Sequence, residues 1–340
     1  MKKERLLYFD AIKFLAVIFV FVCHYARTLE YYQISYNFKI LPDNIFSVYT
    51  GTVGCVLFFI VSGAALMYVY QEKVNLQNYF LKRFKGIYPM FWSAFIVFFE
   101  VQFYNTGGGY CKGVPTWRIV YTFIGFDGLM ANFCTTFYTV GEWFLGVLVI
   151  LYILFPLLRK LVNEFPFAVL AVSIMIGIIT DYTFDNANVP NDVLFWVWIP
   201  VFVFGMVFVK CMKKVKGSFL VISMVTLAVF TIFDLNICHK ITRFYFVGIS
   251  LFLILVYLFD NFRGRLFRGV SGFISKYCYP IFLVHHRMML IFMKRFSGYQ
   301  FSIGDVVCLF VFMICVTLVA SYLIDMVTSS VLSIWRKKDA

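Results

Sequence analysis

The sequence has few charged residues. Only 14% of its 340 residues are Asp, Glu, Lys or Arg, whereas soluble domains contain about 25%. Hydrophobic residues make up 62% of the chain and aromatic residues 21%, and the mean hydropathy is +0.86. This composition excludes a soluble globular protein. It predicts an all-α, polytopic membrane protein with one integral domain over residues 1–340.

Several other patterns are also missing from the sequence. It has no internal repeat, no low-complexity tract and no Cys-x-x-Cys motif among its nine cysteines, so no metal site is predicted. No loop is long enough to fold as a separate soluble domain. Cys111 and Cys134 fall in one predicted outer segment, which leaves a disulfide between them open.

Apolar runs of about 20 residues predict ten membrane-spanning helices. The predicted spans are 7–27, 48–70, 88–104, 141–158, 164–180, 194–209, 218–236, 241–259, 277–295 and 303–324. With the N-terminus in the cytosol, cytosolic segments hold twenty Lys and Arg residues and outer segments hold eight. This bias follows the positive-inside rule, so both termini are expected in the cytosol. The net charge of +13 mostly reflects this topology, and no nucleic-acid partner is expected.

The first predicted span contains three ionisable residues, Asp10, Lys13 and His24. A charge near the bilayer centre costs roughly 2.5–3.5 kcal/mol on insertion scales, so these groups are expected to face protein rather than lipid. Lys13 and His24 are eleven residues apart, which places them on one helix face and roughly 16 Å apart. Asp10 lies three residues before Lys13 and is expected to be its counter-ion.

Three stretches in the first half of the chain are unusual for lipid-facing helices. FFIVSGAALMY contains small residues that suit close helix packing. YFLKRFKGIYPMFW carries Lys82, Arg83 and Lys85 at a predicted cytosolic surface, where they determine topology or bind phosphates. In the outer segment 105–140, WRIVYTFIGF is expected to form a short re-entrant or interfacial helix.

Two further stretches carry ionisable groups in the second half. GEWFLGVLVILYILFP places Glu142 and Trp143 at the predicted outer start of the fourth span. ISKYCYPIFLVHHRMML places His285, His286 and Arg287 midway along the ninth. Adjacent helical residues point about 100° apart, so only one of the two histidines is expected to face a given site. We expect His286 to be a packing or rim residue.

Together these stretches resemble the acyltransferase-3 family of integral membrane acyltransferases, which acylate surface polysaccharides and other hydroxylated acceptors. The resemblance covers nearly the whole chain through five motifs in order. Their residues are Asp10, Lys13 and His24; Phe58, Phe59, Ser62 and Gly63; Arg83, Lys85, Tyr88 and Pro89; Trp143, Leu145, Tyr152 and Pro156; and Cys278, Tyr279, Phe282, Leu283 and His285. The chain departs from the family pattern at Gly86, Cys278, Phe282 and Arg287, where a basic residue, Ser, Tyr and Pro are usual.

The resemblance implies a membrane-bound O-acyltransferase. Its donor would be a cytosolic acyl-CoA, most often acetyl-CoA, and its acceptor a hydroxyl of a surface polysaccharide or lipid-linked precursor. His24 would be the general base, since imidazole, with an ordinary pKa near 6.5, suits removal of the hydroxyl proton. Lys13, with Asp10 beside it, would orient the donor or stabilise charge on the thioester oxygen.

The resemblance also suggests which side chains bind substrates. Lys82, Arg83 and Lys85 would hold the phosphates of the donor. His285 and Trp143 would line the cavity, and Glu142 would orient His24. The acyl-CoA is a substrate, so no bound cofactor is implied. The expected location is the plasma or inner membrane, in contact with lipid.

Two hypotheses outside this class remain open at the level of sequence. A transporter or flippase for a lipid-linked sugar or another amphiphile would also keep charges in its spans, although many transporters show inverted repeats that are not evident here. A polysaccharide polymerase would be expected to have a larger outer loop. The sequence leaves open the acceptor, the acyl chain, an acyl-histidine intermediate and the oligomeric state.

Overall fold

The computed structural model of the chain describes residues 5–36, 43–184, 189–190, 193–212, 214–232, 239–260 and 265–338. Over these residues the α-helices are α1 (Leu7–Tyr31), α2 (Thr50–Tyr70), α3 (Leu76–Asn105), α4 (Ile119–Ile124), α5 (Asp127–Met130), α6 (Glu142–Glu164), α7 (Pro166–Thr183), α8 (Ile199–Val207), α9 (Gly217–Ile232), α10 (Lys240–Asp260), α11 (Arg265–Met293) and α12 (Ile303–Lys338). The strands have two residues each: β1 (Ser35–Tyr36), β2 (Asn44–Ile45), β3 (Val48–Tyr49) and β4 (Gln300–Phe301).

Each of the ten predicted spans overlaps a helical stretch, and residues 233–236 of the predicted span 218–236 lie outside the described residues. Within the described ranges, eight stretches are long and apolar enough to cross a membrane: α1, α2, α3, α6, α7, Phe195–Met212, α10 and Ile303–Ser333. The two other predicted spans correspond to α9, which has only 16 residues, and to α11, which is less apolar over its length. The all-α polytopic architecture is thereby confirmed. The cytosolic placement of both termini stays a prediction.

The helices form two compact units. Unit 1 comprises Met1–Val22, Pro42–Leu76 and Val147–Lys276. Unit 2 comprises Cys23–Leu41, Gln77–Gly146 and Tyr277–Ala340. That residues 1–340 form a single integral domain stays a prediction.

In unit 1, the small residues of the second span let α2 approach α8 closely. A Cβ built on Gly63 would lie 3.2 Å from the Cα of Phe202 and overlap its carbonyl group. A Cβ built on Gly205 of α8 would lie 2.9 Å from the backbone nitrogen of Ala64. Because carbon atoms pack at about 3.5–4.0 Å, this interface requires glycine on both helices. The packing role of FFIVSGAALMY is confirmed.

In unit 2, the chain between α3 and α6 turns back into the helices. We call residues 106–141 the re-entrant segment. Its helix α4 contacts the middle of α3, where the Tyr88 hydroxyl donates to the Ile124 carbonyl at 3.0 Å and the Trp92 indole to the Phe123 carbonyl at 3.3 Å. Tyr88 and Trp92 lie roughly 20–25 Å along α3 from its end at Asn105. WRIVYTFIGF contains the predicted short helix, and the choice between a re-entrant and an interfacial helix stays a prediction.

Irregular backbone at membrane depth is tolerated only where protein buries it or a polar cavity borders it. The arm of the re-entrant segment that returns from α5 to α6 is irregular backbone, with a left-handed Gly141 at φ +98°, and it leads directly into the start of α6. Cys111 and Cys134, which lie in the same segment, are both free thiols.

Candidate active site

Three of the chain's four histidines come together in unit 2. The His24 ring of α1 lies 4.9 Å from the His285 ring and 4.7 Å from the His286 ring, measured between centroids. The two α11 rings are 6.4 Å apart, so the three rings form a triangle and His24 faces both of the others. The expectation that only one adjacent histidine would face the site is wrong, because side chains 100° apart can both reach a ring placed between them. His286 is therefore not a rim residue.

His286 is held by a carboxylate. Its Nδ1 lies 2.5 Å from Oε1 of Glu142, in the first turn of α6. Because an ionised carboxylate only accepts hydrogen bonds, Nδ1 carries the proton and Nε2 is the acceptor nitrogen of the neutral ring. The Tyr138 phenol also lies close to this carboxylate. The structure thus pairs Glu142 with His286, and not with His24 as we had expected.

His285 is fixed by its own helix. Its Nδ1 lies 3.0 Å from the Ile281 carbonyl and 2.9 Å from the Phe282 carbonyl. Both partners are acceptors, so Nδ1 again carries the proton and Nε2 is the acceptor nitrogen. The side chain is almost fully buried, with 1% exposed. His24 is partly exposed, and for its imidazole the described residues provide ring contacts rather than a hydrogen bond.

The backbone of Glu142 is strained and tightly supported. Its φ is +38°, a left-handed value that side chains other than glycine rarely adopt. Gly128 of α5 lies against it so closely that an added Cβ would stand 2.7 Å from the Glu142 Cα and overlap its carbonyl group. One turn along α6, a Cβ on Gly146 would stand 2.8 Å from that of Leu129. Strain of this kind persists where the surroundings enforce it, and functional sites are common among such places.

The re-entrant segment also buries an acidic residue, Asp127, which is 1% exposed. Neither carboxylate oxygen has a hydrogen-bond partner of good geometry among the described residues. Burial raises the pKa of Asp127 to about 6, and the neighbouring Thr122 hydroxyl opposes that rise in part. Burial likewise raises the pKa of Tyr138, so its hydroxyl stays a hydrogen-bond donor at neutral pH.

The predicted donor-binding cations also belong to unit 2, at the start of α3. Lys82 and Lys85 are exposed, and Arg83 is half-buried with its guanidinium 6.0 Å from the Tyr79 ring. The Tyr279 hydroxyl of α11 donates to the Ile87 carbonyl of α3 at 3.1 Å, which fixes the relative height of the two helices. Measured along the helix axis from that contact, His285 lies roughly 9 Å towards the C-terminal end of α11. The three cations lie roughly 3–8 Å towards the N-terminal end of α3.

Trp143 follows Glu142 on α6 and is half-buried. Its ring lies 6.2 Å from that of Phe144, which in turn lies 5.0 Å from Phe282 of α11. The structure therefore places Trp143 beside the candidate site, although its role stays a prediction.

Asp10 and Lys13 belong to unit 1, where the expected ion pair between them is absent. Asp10 accepts hydrogen bonds from Arg5 Nε at 2.5 Å and from Ser275 Oγ at 2.6 Å. Each carboxylate oxygen thus already has a partner, and the described residues offer no counter-ion to the partly exposed Lys13. The expectation that Asp10 is the counter-ion of Lys13 is wrong.

Sequence patterns indicated His24, His285 and Glu142 but missed the partners that organise them. The adjacent histidines at 285 and 286 were a sequence signal for two imidazoles at the site, but the expectation that only one of them faces it led away from His286. Tyr138 and Gly128 had no such signal, because their importance depends on the path of the re-entrant segment. Among the described residues, no group of three or more His, Cys, Asp and Glu side chains is arranged to hold a metal ion.

A sequence model of the acyltransferase-3 family, described as an acyltransferase domain, matches residues 6–326. The chain belongs to the acyltransferase-3 family. It is therefore a multi-pass membrane acyltransferase, and membership of this family favours an enzyme over the transporter and polymerase hypotheses. No curated protein and no solved structure is significantly similar to this acyltransferase-3 chain.

Proposed function

We propose that this acyltransferase transfers an acetyl group from cytosolic acetyl-CoA to a hydroxyl of a cell-surface polysaccharide or its lipid-linked precursor. The membrane would be the plasma or inner membrane. The observation that carries the proposal is the convergence of His24, His285 and His286 with Glu142 in a chain of this family. Imidazole and carboxylate groups in contact are the usual means of moving a proton on and off a hydroxyl nucleophile.

In the proposed reaction His24 is the general base. It takes the proton of the acceptor hydroxyl as that oxygen attacks the thioester carbonyl carbon. The tetrahedral intermediate then expels the thiolate of CoA, which takes the proton from His24. The Glu142–His286 pair holds the ring beside His24 in one orientation, and the carboxylate charge favours the transient imidazolium.

The donor would enter from the start of α3. Lys82, Arg83 and Lys85 provide three positive charges for the diphosphate and ribose phosphate of CoA. The height difference between these cations and the histidines is one that the pantetheine arm can bridge. The predicted role of Lys13 towards the donor stays a prediction.

The test is acetyl-CoA consumption by the purified protein in proteoliposomes, with mass spectrometry of added glycan lipids and surface polysaccharide. We expect CoA release together with an acetyl ester on the glycan. Movement of the glycan lipid across the bilayer without CoA release would contradict the proposal and favour a flippase.

A matched pair of variants tests the donor site. Lys82→Gln with Lys85→Gln removes two exposed cations of α3, and Lys214→Gln with Lys216→Gln removes two cations just before α9. Only the first pair is expected to raise KM for acetyl-CoA, by about tenfold, with kcat unchanged. An equal effect of both pairs would show a general surface-charge effect and not a phosphate site.

A further inference from the structure

Arg287 follows the two site histidines on α11, at the position where the chain departs from the family pattern. Its guanidinium donates to the Thr139 carbonyl through Nε, and through Nη2 to the Tyr138 carbonyl at 3.0 Å and the Tyr110 hydroxyl at 3.2 Å. Its Cζ also lies 5.5 Å from the centre of the Tyr138 ring. All of these partners belong to the re-entrant segment.

The two carbonyls that Arg287 binds precede Glu142 by only three and four residues. They lie on irregular backbone, where an unpaired carbonyl away from water would be costly. Tyr110 supports the same point, because its hydroxyl donates to the Tyr138 carbonyl at 2.7 Å. We call Arg287, Tyr110 and the Tyr138–Thr139 backbone the arginine clamp.

The clamp leads to the reactive groups through one continuous chain of contacts. It fixes the backbone of Tyr138 and Thr139 just before Glu142, the Tyr138 phenol lies close to the Glu142 carboxylate, and Glu142 holds Nδ1 of His286. Because Arg287 and His286 are neighbours on α11, the clamp ties the returning arm to the helix that carries the histidine.

We propose that Arg287 is a positioning residue for the Glu142–His286 pair, acting through Tyr138 without touching the reacting atoms. The inference rests on the proposed acyl transfer. It assigns a task to an arginine where the family pattern would lead one to expect proline.

The first test replaces Arg287 by Gln and by Lys and measures acetyl-CoA turnover. Arg287→Gln removes charge-assisted hydrogen bonds and should lower kcat on the order of 10- to 100-fold, with both KM values within about twofold. Arg287→Lys keeps the charge and some donors, so its kcat should lie between those of Arg287→Gln and the unaltered protein. Raised acceptor KM at constant kcat would overturn the proposal and make Arg287 a substrate ligand.

The matched control is Arg159, which caps backbone carbonyls in unit 1. Its Nη1 donates to the carbonyls of Tyr70, Gln71 and Glu72 at 3.3, 3.0 and 3.1 Å. Arg159→Gln should lower the melting temperature and leave kcat unchanged. If it slows turnover as much as Arg287→Gln does, the effect at Arg287 is general loss of structure and the positioning role is wrong.

A double-mutant cycle with Tyr138→Phe tests the proposed route. If Arg287 acts through Tyr138, then Arg287→Gln in the Tyr138→Phe background should reduce kcat by less than about threefold further. If the two substitutions instead lower kcat by factors that simply multiply in the double variant, the route through Tyr138 is wrong.

Should Arg287→Gln fail to fold, Tyr110→Phe removes a single hydroxyl of the clamp and should still lower kcat. A protein that never releases CoA would refute the proposed function, whereas unchanged kcat in folded clamp variants would refute only this inference.

Discussion

Replacing Gly128 by alanine is expected to disturb the site through one added methyl group. Gly128 does not touch a histidine, but it lies against the backbone of Glu142, whose φ is +38°. The new Cβ would stand 2.7 Å from the Glu142 Cα and closer still to its carbonyl group. The helix that carries Gly128 is also pressed on α6 at Leu129 and Gly146, so relief must separate α5 from α6 at both points.

The size of the effect follows from these distances. Carbon atoms pack at about 3.5–4.0 Å, so the Glu142 backbone must move by about 1 Å. The Nδ1–Oε1 contact with His286, now 2.5 Å, would lengthen to about 3.5 Å, beyond an effective hydrogen bond. A misplacement of about 1 Å typically costs on the order of 100-fold in rate, or about 2.7 kcal/mol of activation free energy.

The assay is CoA release by purified protein in proteoliposomes. Gly128→Ala should lower kcat about 100-fold with KM for acetyl-CoA within about twofold. Gly217→Ala is the matched control, because a Cβ there meets nothing within 4 Å, and it should retain full turnover. A Gly128→Ala protein that is folded and fully active would refute the reasoning that links α5 to Glu142.

Three further predictions concern charge, pH and packing. Glu142→Gln removes the carboxylate charge beside His286 and should lower kcat on the order of 10- to 100-fold in the CoA-release assay, whereas normal turnover would show that the pair is structural. Burial raises the pKa of Asp127 from 3.8 to about 6, so the protonated form is favoured in the fold, and stability should fall as the pH rises from 3.8 through about 6 and then level off. Asp127→Asn should abolish that slope in melting experiments and stabilise the protein at pH 7.5 by up to about 3 kcal/mol; an unchanged slope would contradict this. Gly205→Ala should overpack the α2–α8 interface and destabilise the fold by about 1–3 kcal/mol, and a melting temperature equal to that of Gly217→Ala would contradict the packing argument.

The helices were predictable because their signal is local. Length and hydropathy along the chain determine where a span can lie, and in the described part of the chain each of the ten predicted spans overlaps a helical stretch. The small residues around Gly63 likewise indicated close packing before the partner helix was known, because a missing side chain permits close approach in any context.

The partners of the ionisable groups were not predictable in the same way. Helical spacing predicts that Asp10 pairs with Lys13, its neighbour on the helix. In the structure Asp10 instead accepts hydrogen bonds from Ser275, 265 residues away, and from Arg5. Helical spacing predicts that adjacent histidines point in different directions, but the rings of His285 and His286 both reach His24. Neither helix rotation nor the route of the re-entrant segment can be read from periodicity alone.

The central claim is that the histidine cluster in unit 2 performs acyl transfer from acyl-CoA. The chain itself provides the control, because His239 is exposed in unit 1 and, among the described residues, its ring stacks on Tyr182 with centroids 4.0 Å apart. The most direct measurement is transfer of labelled acetyl groups from acetyl-CoA by His24→Ala and His239→Ala proteins in proteoliposomes. We expect His24→Ala to lose at least about 100-fold in rate, as befits loss of a general base, and His239→Ala to match the unaltered protein. Full transfer by a folded His24→Ala protein would contradict the account.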